Sequence, residues 1–225
     1  AASEPPGVVH GGLRRATGAS RSDGDAVRLL RAACENYPAW LAAIEGAQRT
    51  IFFESYIVAD DAVGHRFVDA LAARARAGVA VLVVHDWLGC LGSHGIWDEL
   101  VRAGAEVRAF NPFSFASPFG WVTRDHRKTI AIDGAIAFVS GLCVSERWQG
   151  DPAKRLAPWR DTGVEIRGPA VAEIERAFAQ VWDACGPPLP ERLLAHPSTH
   201  PFDLSSARDQ PCSRLARSSS LIRGS

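Results

Sequence analysis

Methionine is absent from the 225 residues, and only two of the 25 basic side chains are lysines, Lys128 and Lys154. Without methionine the first residue is not an untouched initiator, so a processed or partial chain is expected. Excess charge is missing too. The 25 basic and 25 acidic groups cancel, which argues against a polyanion-binding protein held by long-range charge and makes any phosphate recognition local. No apolar stretch approaches the roughly 20 residues of a membrane span; the longest, such as 79–84, is far shorter, and the first residues lack a basic-then-apolar signal pattern. A soluble or peripheral chain is expected, cytoplasmic and at most peripheral at the inner membrane face. The five cysteines (Cys34, Cys90, Cys143, Cys185, Cys212) are odd in number and widely spaced, with neither C-x-x-C nor Cys/His zinc spacing. That pattern fits reduced thiols, and neither a structural metal nor a cofactor is expected. Internal repeats are missing as well.

What is present suffices for one well-buried domain and is short for two. Residues 1–24, rich in Gly, Ser, Ala and Arg without apolar periodicity, read as a flexible leader. A domain is expected over 25–185, and 186–225, dominated by Pro, Ser, Arg and His, reads as a disordered or truncated tail. Pro38 suits a first helical position, with Trp40, Leu41 and Ile44 following before Gly46. Then come a strand over 50–58, a helix capped by Asp60 or Asp61 and closed by Gly78, a buried strand over 79–85, a helix over about 93–103 and a strand over 106–110. This alternation predicts an α/β fold, a layered domain whose mixed, mostly parallel sheet is flanked by helices. Asp133-Gly134 predicts a tight hairpin between strands 128–132 and 135–139. A last strand over 161–167 and an amphipathic helix over 169–184, with Val171, Ile174, Phe178 and Val181 inward, complete the pattern.

The chemistry concentrates at His126-Arg127-Lys128 followed by Asp133, an H-x-K-x-x-x-x-D pattern. On an extended chain, alternation puts His126 and Lys128 on one face. Imidazole can attack phosphorus and lysine can neutralise non-bridging oxygens, which is what metal-free phosphodiester chemistry requires. Composition alone yields this pattern with a chance of roughly four in a thousand, so it is specific. The bland alternative is a satisfied histidine, a solvated lysine and an Asp133 that only makes the turn. Glu54, on an otherwise apolar strand, is either a buried pocket carboxylate that contacts substrate or a sheet-edge charge. The aromatics between Phe110 and Trp121 form either a lipid-facing lip or loop packing.

The wider context resembles the phospholipase D superfamily, most closely the N-terminal half of bacterial cardiolipin synthase-like phosphatidyltransferases. The resemblance runs from about Asn36 to Gly186. It rests on Tyr37-Pro38-Ala39-Trp40-Leu41, Phe53-Glu54-Ser55-Tyr56-Ile57, Arg74-Ala75-Arg76-Ala77-Gly78-Val79, Asp86-Trp87-Leu88-Gly89, the motif with Asp133-Gly134 and Ser140-Gly141, and Pro158-Trp159-Arg160-Asp161-Thr162. It implies a single half-unit of the fold, with His126 as nucleophile or as leaving-group acid, Lys128 as phosphate clamp, Asp161 as the orienter of the imidazole, Asp133 in the motif and Ser140 at the phosphate. Two departures stand out. Cys143 occupies the position where the family usually has asparagine, and a thiol is a poor replacement for a carboxamide donor; a buried, small apolar role suits it better. The chain also carries one motif where the family uses two, so the second must come from a homodimer partner or a missing half. The implied function is phospholipid phosphodiester transfer or hydrolysis through phosphohistidine, with a phospholipid substrate and peripheral membrane contact. The alternatives are a homodimeric nuclease or phosphodiesterase, which the absence of a basic groove disfavours, and a non-catalytic half domain.

Overall fold

The computed structural model describes residues 22–113 and 122–194. The elements run β1 (Ala26–Arg31), α1 (Ala32–Gly46), β2 (Thr50–Ser55), α2 (Ala62–Arg76), β3 (Ala80–Asp86), α3 (His94–Arg102), β4 (Glu106–Phe110), β5 (Thr129–Ile132), β6 (Ile136–Ser140), α4 (Glu146–Gln149), β7 (Thr162–Arg167) and α5 (Ala170–Ala184), closed by a 3-10 turn at Glu191–Leu193. Seven strands form one sheet in the order β1-β7-β6-β5-β2-β3-β4. The α/β expectation is met, and the sheet is mixed. Parallel pairing is confined to β2–β3 and β3–β4, while β5, β6, β7 and β1 pair antiparallel. Two of the six strand pairings are parallel, so the expected mostly parallel sheet is corrected to a mostly antiparallel mixed one. The reason is local: the tight turn after β5 reverses the chain, and only strand-helix-strand crossovers give parallel neighbours.

Helices cover both faces. Ile51, Phe53, Val81, Val83, Ile130 and Phe138 pack under α1, α2 and α3 with Tyr37, Trp40, Phe67 and Leu100. The intervening Phe52, Leu82, Val84, Ala131 and Ala137 pack under α5 with Val171, Phe178 and Trp182. Phe52 and Phe178 stack at 5.0 Å. Burial on both faces is why β2 reads as a continuous apolar run broken only by Glu54.

Local signals act as expected at several joints. The Asp61 carboxylate accepts from Val63 and Gly64 N–H and caps α2, and Gly78, at φ 87°, closes the helix. Asp133 and Gly134, at φ 56° and 67°, make the tight turn. Three readings need correction. Pro38 lies inside α1; the lost backbone hydrogen bond costs about 3 kcal/mol, and burial of Tyr37, Trp40, Leu41 and Ile44 outweighs it. β1 is a strand that periodicity alone does not reveal. The boundary at 186 also falls short, because Leu189 is buried, its N–H donates to Asp183 at 2.7 Å, and Arg108 donates to the Pro187 carbonyl at 2.7 Å. Cys90, Cys143 and Cys185 are free thiols, whereas Cys34 is disulfide-bonded, contrary to the all-reduced expectation. The leader over 1–21, the remaining tail over 195–225 and the aromatic loop over 114–121 lie outside the described residues. No helix among the described residues is long and apolar enough to cross a membrane.

Candidate active site

Four strands deliver side chains to one end of the sheet. Tyr56 follows β2, His126 and Lys128 precede β5, Gly141 and Cys143 follow β6, and Asp161 precedes β7. With Trp148, Trp159 and Arg160 they line a cleft of about 660 Å³. The structure thus brings together His126, Lys128 and Asp161, three of the residues singled out from the sequence.

His126 is exposed. Among the described residues its imidazole makes no hydrogen bond, and its ring contact is with Tyr56, centroid to centroid 4.7 Å at 55°. Lys128 is its opposite, only 6% exposed, with its ammonium donating to the His126 carbonyl and lying 5.2 Å from the Tyr56 ring centre. Burial pulls the Lys128 pKa below its usual value, opposed by Cys143 and by the carboxylates of Asp125, Asp161 and Asp86. A buried cation beside an uncommitted imidazole can hold a phosphate oxygen while nitrogen approaches phosphorus.

Asp161 is seated by what Gly141 lacks. A Cβ on Gly141 would stand 2.1 Å from Asp161 Oδ1, so only glycine lets the carboxylate lie flat against the β6 exit. Asp161 Oδ1 accepts from Thr162 N–H at 2.8 Å, and the Asp161 carbonyl accepts from Ala32 N–H at 2.9 Å. Cys143 is 1% exposed; burial pushes its thiol pKa up, with Lys128 opposing. That fits the apolar role expected for it.

Asp133, Ser140 and Glu54 lie outside the cleft lining. The Asp133 carboxylate sits at the far end of β5 and accepts from the backbone N–H groups of Gln48, Arg49 and Thr50 at 2.7, 2.8 and 2.8 Å, pinning the entry to β2. The Ser140 hydroxyl donates to the Leu142 carbonyl at 3.2 Å. Glu54 faces α5, accepts from Arg127 Nε at 2.8 Å and from Thr129 Oγ1 at 2.9 Å, and is 1% exposed. Burial, and then the neighbouring Asp125 carboxyl, push its pKa up to about 8, opposed by Arg127 and Thr129.

Sequence reasoning gave no role to Tyr56, Trp148 or Arg160, which join the cleft only once the sheet is assembled. Trp159 packs edge-on against Trp148 at 5.0 Å, remains 49% exposed and lies under the Arg147 guanidinium at 5.7 Å. The one signal available was position, since Tyr56 and Trp159 each stand next to a residue or strand already singled out.

The open mixed α/β sheet, with a histidine and a lysine two residues apart at one end, agrees with what the comparisons show: residues 40–182 match the family model described as cardiolipin synthase, PLD-like domain. The chain belongs to that family. It is 36% identical over 173 residues to cardiolipin synthase A of Pseudomonas aeruginosa, covering 75% of this chain and 34% of the relative, so it spans about a third of that protein's length. Among solved structures, Nuc from Salmonella typhimurium, a phospholipase D family member, superposes with a TM-score of 0.55 at 17% identity, over 71% of this chain and 95% of that one. A phosphatidylserine synthase of Haemophilus influenzae gives 0.53 at 14% identity, over 68% and 36%. These two likenesses speak to the fold alone.

Proposed function

We propose that this chain supplies one half of a phospholipid phosphodiester transfer or hydrolysis centre. The observation that carries the reading is the uncommitted His126 imidazole beside the buried Lys128 ammonium in one cleft with Asp161. In the proposed reaction a His126 ring nitrogen forms a bond to phosphorus as the phosphorus–oxygen bond to the leaving alcohol breaks. Lys128 offsets the charge on the non-bridging oxygens. A second histidine gives its proton to the leaving alkoxide, then takes one from the incoming alcohol or water as that oxygen displaces His126. Asp161 stabilises the His126 cation and its orientation. Ser140 acts at the β6 exit beside the cleft, Asp133 acts from the opposite end of the sheet by fastening the β5–β6 turn to the entry of β2, and Glu54 acts from behind the site.

The second histidine has two candidate sources, a further segment of a longer chain or a second copy of this one; the chain spans about a third of the length of cardiolipin synthase A, which favours the first. Exposed Trp159 at the cleft rim, with Arg147 and Arg160 beside it, is the proposed point of peripheral bilayer contact, since tryptophan suits the headgroup level.

The test is turnover of phosphatidylglycerol vesicles without added divalent metal, with His126→Ala alongside. Loss of turnover in the variant by roughly 10⁴-fold is expected. A His126→Ala protein as active as the parent sinks the assignment. Competition by DNA as strong as by headgroup phosphate would turn the reading toward a nuclease.

A further inference from the structure

The residue between the two cleft side chains points the other way. Arg127 leaves the chain toward α5, where its Nε donates to Glu54 Oε1 at 2.8 Å and its Nη2 lies 2.8 Å from the same oxygen. Nη2 also donates to the Ala177 carbonyl on α5 at 2.9 Å. The other Glu54 oxygen accepts from Thr129 Oγ1. On the preceding side, Arg127 N–H donates to Asp125 Oδ1 at 3.2 Å, and Asp125 N–H donates to Asp86 Oδ2 at 3.0 Å. Asp86 is fully buried and also accepts from Gly89 N–H at 2.8 Å and Arg124 Nη1 at 3.1 Å. Residues 124, 125, 127 and 129 are thus tied to β2, β3 and α5, whereas the side chains of His126 and Lys128 have almost no ties of their own.

We propose that Arg127 is the positioning residue of this site, fastening the α5 side of residues 124–129 through Glu54 and the Ala177 carbonyl so that His126 and Lys128 are held into the cleft. The guanidinium fork suits this task, because it takes a carboxylate and a carbonyl at fixed angles where an ammonium fixes neither. Catalytic geometry is sensitive at this scale: a misplacement of about 1 Å can cost roughly 10²-fold in rate. Burial, and then the neighbouring Asp125 carboxyl, push the Glu54 pKa up to about 8, so on removal of Arg127 Glu54 can take up a proton instead of being left as a bare buried charge. That makes the folded variant accessible to measurement. The inference rests on the functional reading above for its kinetic arm alone.

The test takes the chain with Arg127→Ala, Arg127→Lys and Glu54→Gln and reads two quantities. One is kcat and KM on phosphatidylglycerol vesicles; the other is backbone amide hydrogen exchange over residues 125–129 against β2 and β3. In Arg127→Ala we expect kcat to fall by roughly 30- to 100-fold with KM little changed, and exchange at 127–129 to speed by about tenfold while β2 and β3 keep their protection. Arg127→Lys should recover part of both, and Glu54→Gln should lie between Arg127→Lys and the parent. Parental kcat or parental exchange at 127–129 in Arg127→Ala overturns the proposal, and so does protection lost evenly across the sheet, which marks a merely structural role. Should Arg127→Ala fail to fold, Arg127→Lys, which keeps the charge and loses the fork, decides by the same comparison. If no protein turns over, the parent included, the functional reading has failed separately, and the exchange pattern still decides the positioning role.

Discussion

Tyr56 illustrates how one ring can serve two cations. It lies against His126 and under Lys128, so in the proposed reaction it favours whichever of the two carries positive charge. Tyr56→Phe keeps the ring and should keep most activity, whereas Tyr56→Leu should lower kcat by roughly fivefold to thirtyfold, the equivalent of about 1–2 kcal/mol; steady-state kinetics on the pair separates ring from hydroxyl. Lys128 sets the alkaline behaviour. Burial already pulls its pKa below the usual lysine value, and Asp161 is among the carboxylates pulling it back. In the proposed function the ammonium is the working form; it is lost as pH rises through the folded-state pKa, so activity should fall on the alkaline side below the pH at which an exposed lysine titrates. Asp161→Asn removes one of the groups raising that pKa, and the alkaline limb should then move to lower pH. A pH–rate profile with an unmoved or upward-shifted limb would contradict this. Gly141→Ala should resemble Asp161→Asn in kinetics, because the added methyl displaces the same carboxylate.

Among the elements, the β5–β6 hairpin carries the site and Asp133 fastens it to β2. Asp133→Ala deprives three backbone N–H groups of their acceptor and should cost about 1–3 kcal/mol of stability, with little change in kcat for the folded fraction; denaturant unfolding and kinetics on one sample test both halves. Phe178→Ala, which empties the α5 face against Phe52, should cost about 3–5 kcal/mol. The elements differ in how plainly the sequence announces them. β2 and β3 are legible because two-sided burial leaves apolar runs, and α2 is legible because Asp61 and Gly78 mark its ends. β1 is not, since Ala-Val-Arg-Leu-Leu-Arg leaves Val27 and Leu29 66% and 56% exposed, and its Arg28 makes sense only opposite Glu165 on β7. The site divides in the same way. His126 and Lys128 are two residues apart and need only strand alternation to be read together, whereas Tyr56 reaches them through β2–β5 pairing, and Glu54 meets Arg127 through the same pairing and α5.

At the scale of the whole molecule, a single motif sets the expected assembly. If a second copy supplies the other histidine, mass in solution should be twice 24.2 kDa, and mixing His126→Ala with the parent should lower turnover faster than in proportion to the fraction of variant. A monomer that is inactive alone and regains turnover with the complementary segment of a relative points to the longer-chain arrangement. The two-faced anchoring of residues 124–129 has one more consequence, for the changes this segment tolerates during evolution. Deleting Arg127 would make His126 and Lys128 neighbours on the extended segment and put them on opposite faces, one toward the cleft and the other toward α5. Such a change breaks the Arg127 hydrogen bonds to Glu54 and to the Ala177 carbonyl and should lower stability together with activity. Length in this stretch is therefore under selection from stability as well as from chemistry, and lineages that have lost the activity should still keep the spacing for as long as they keep the fold.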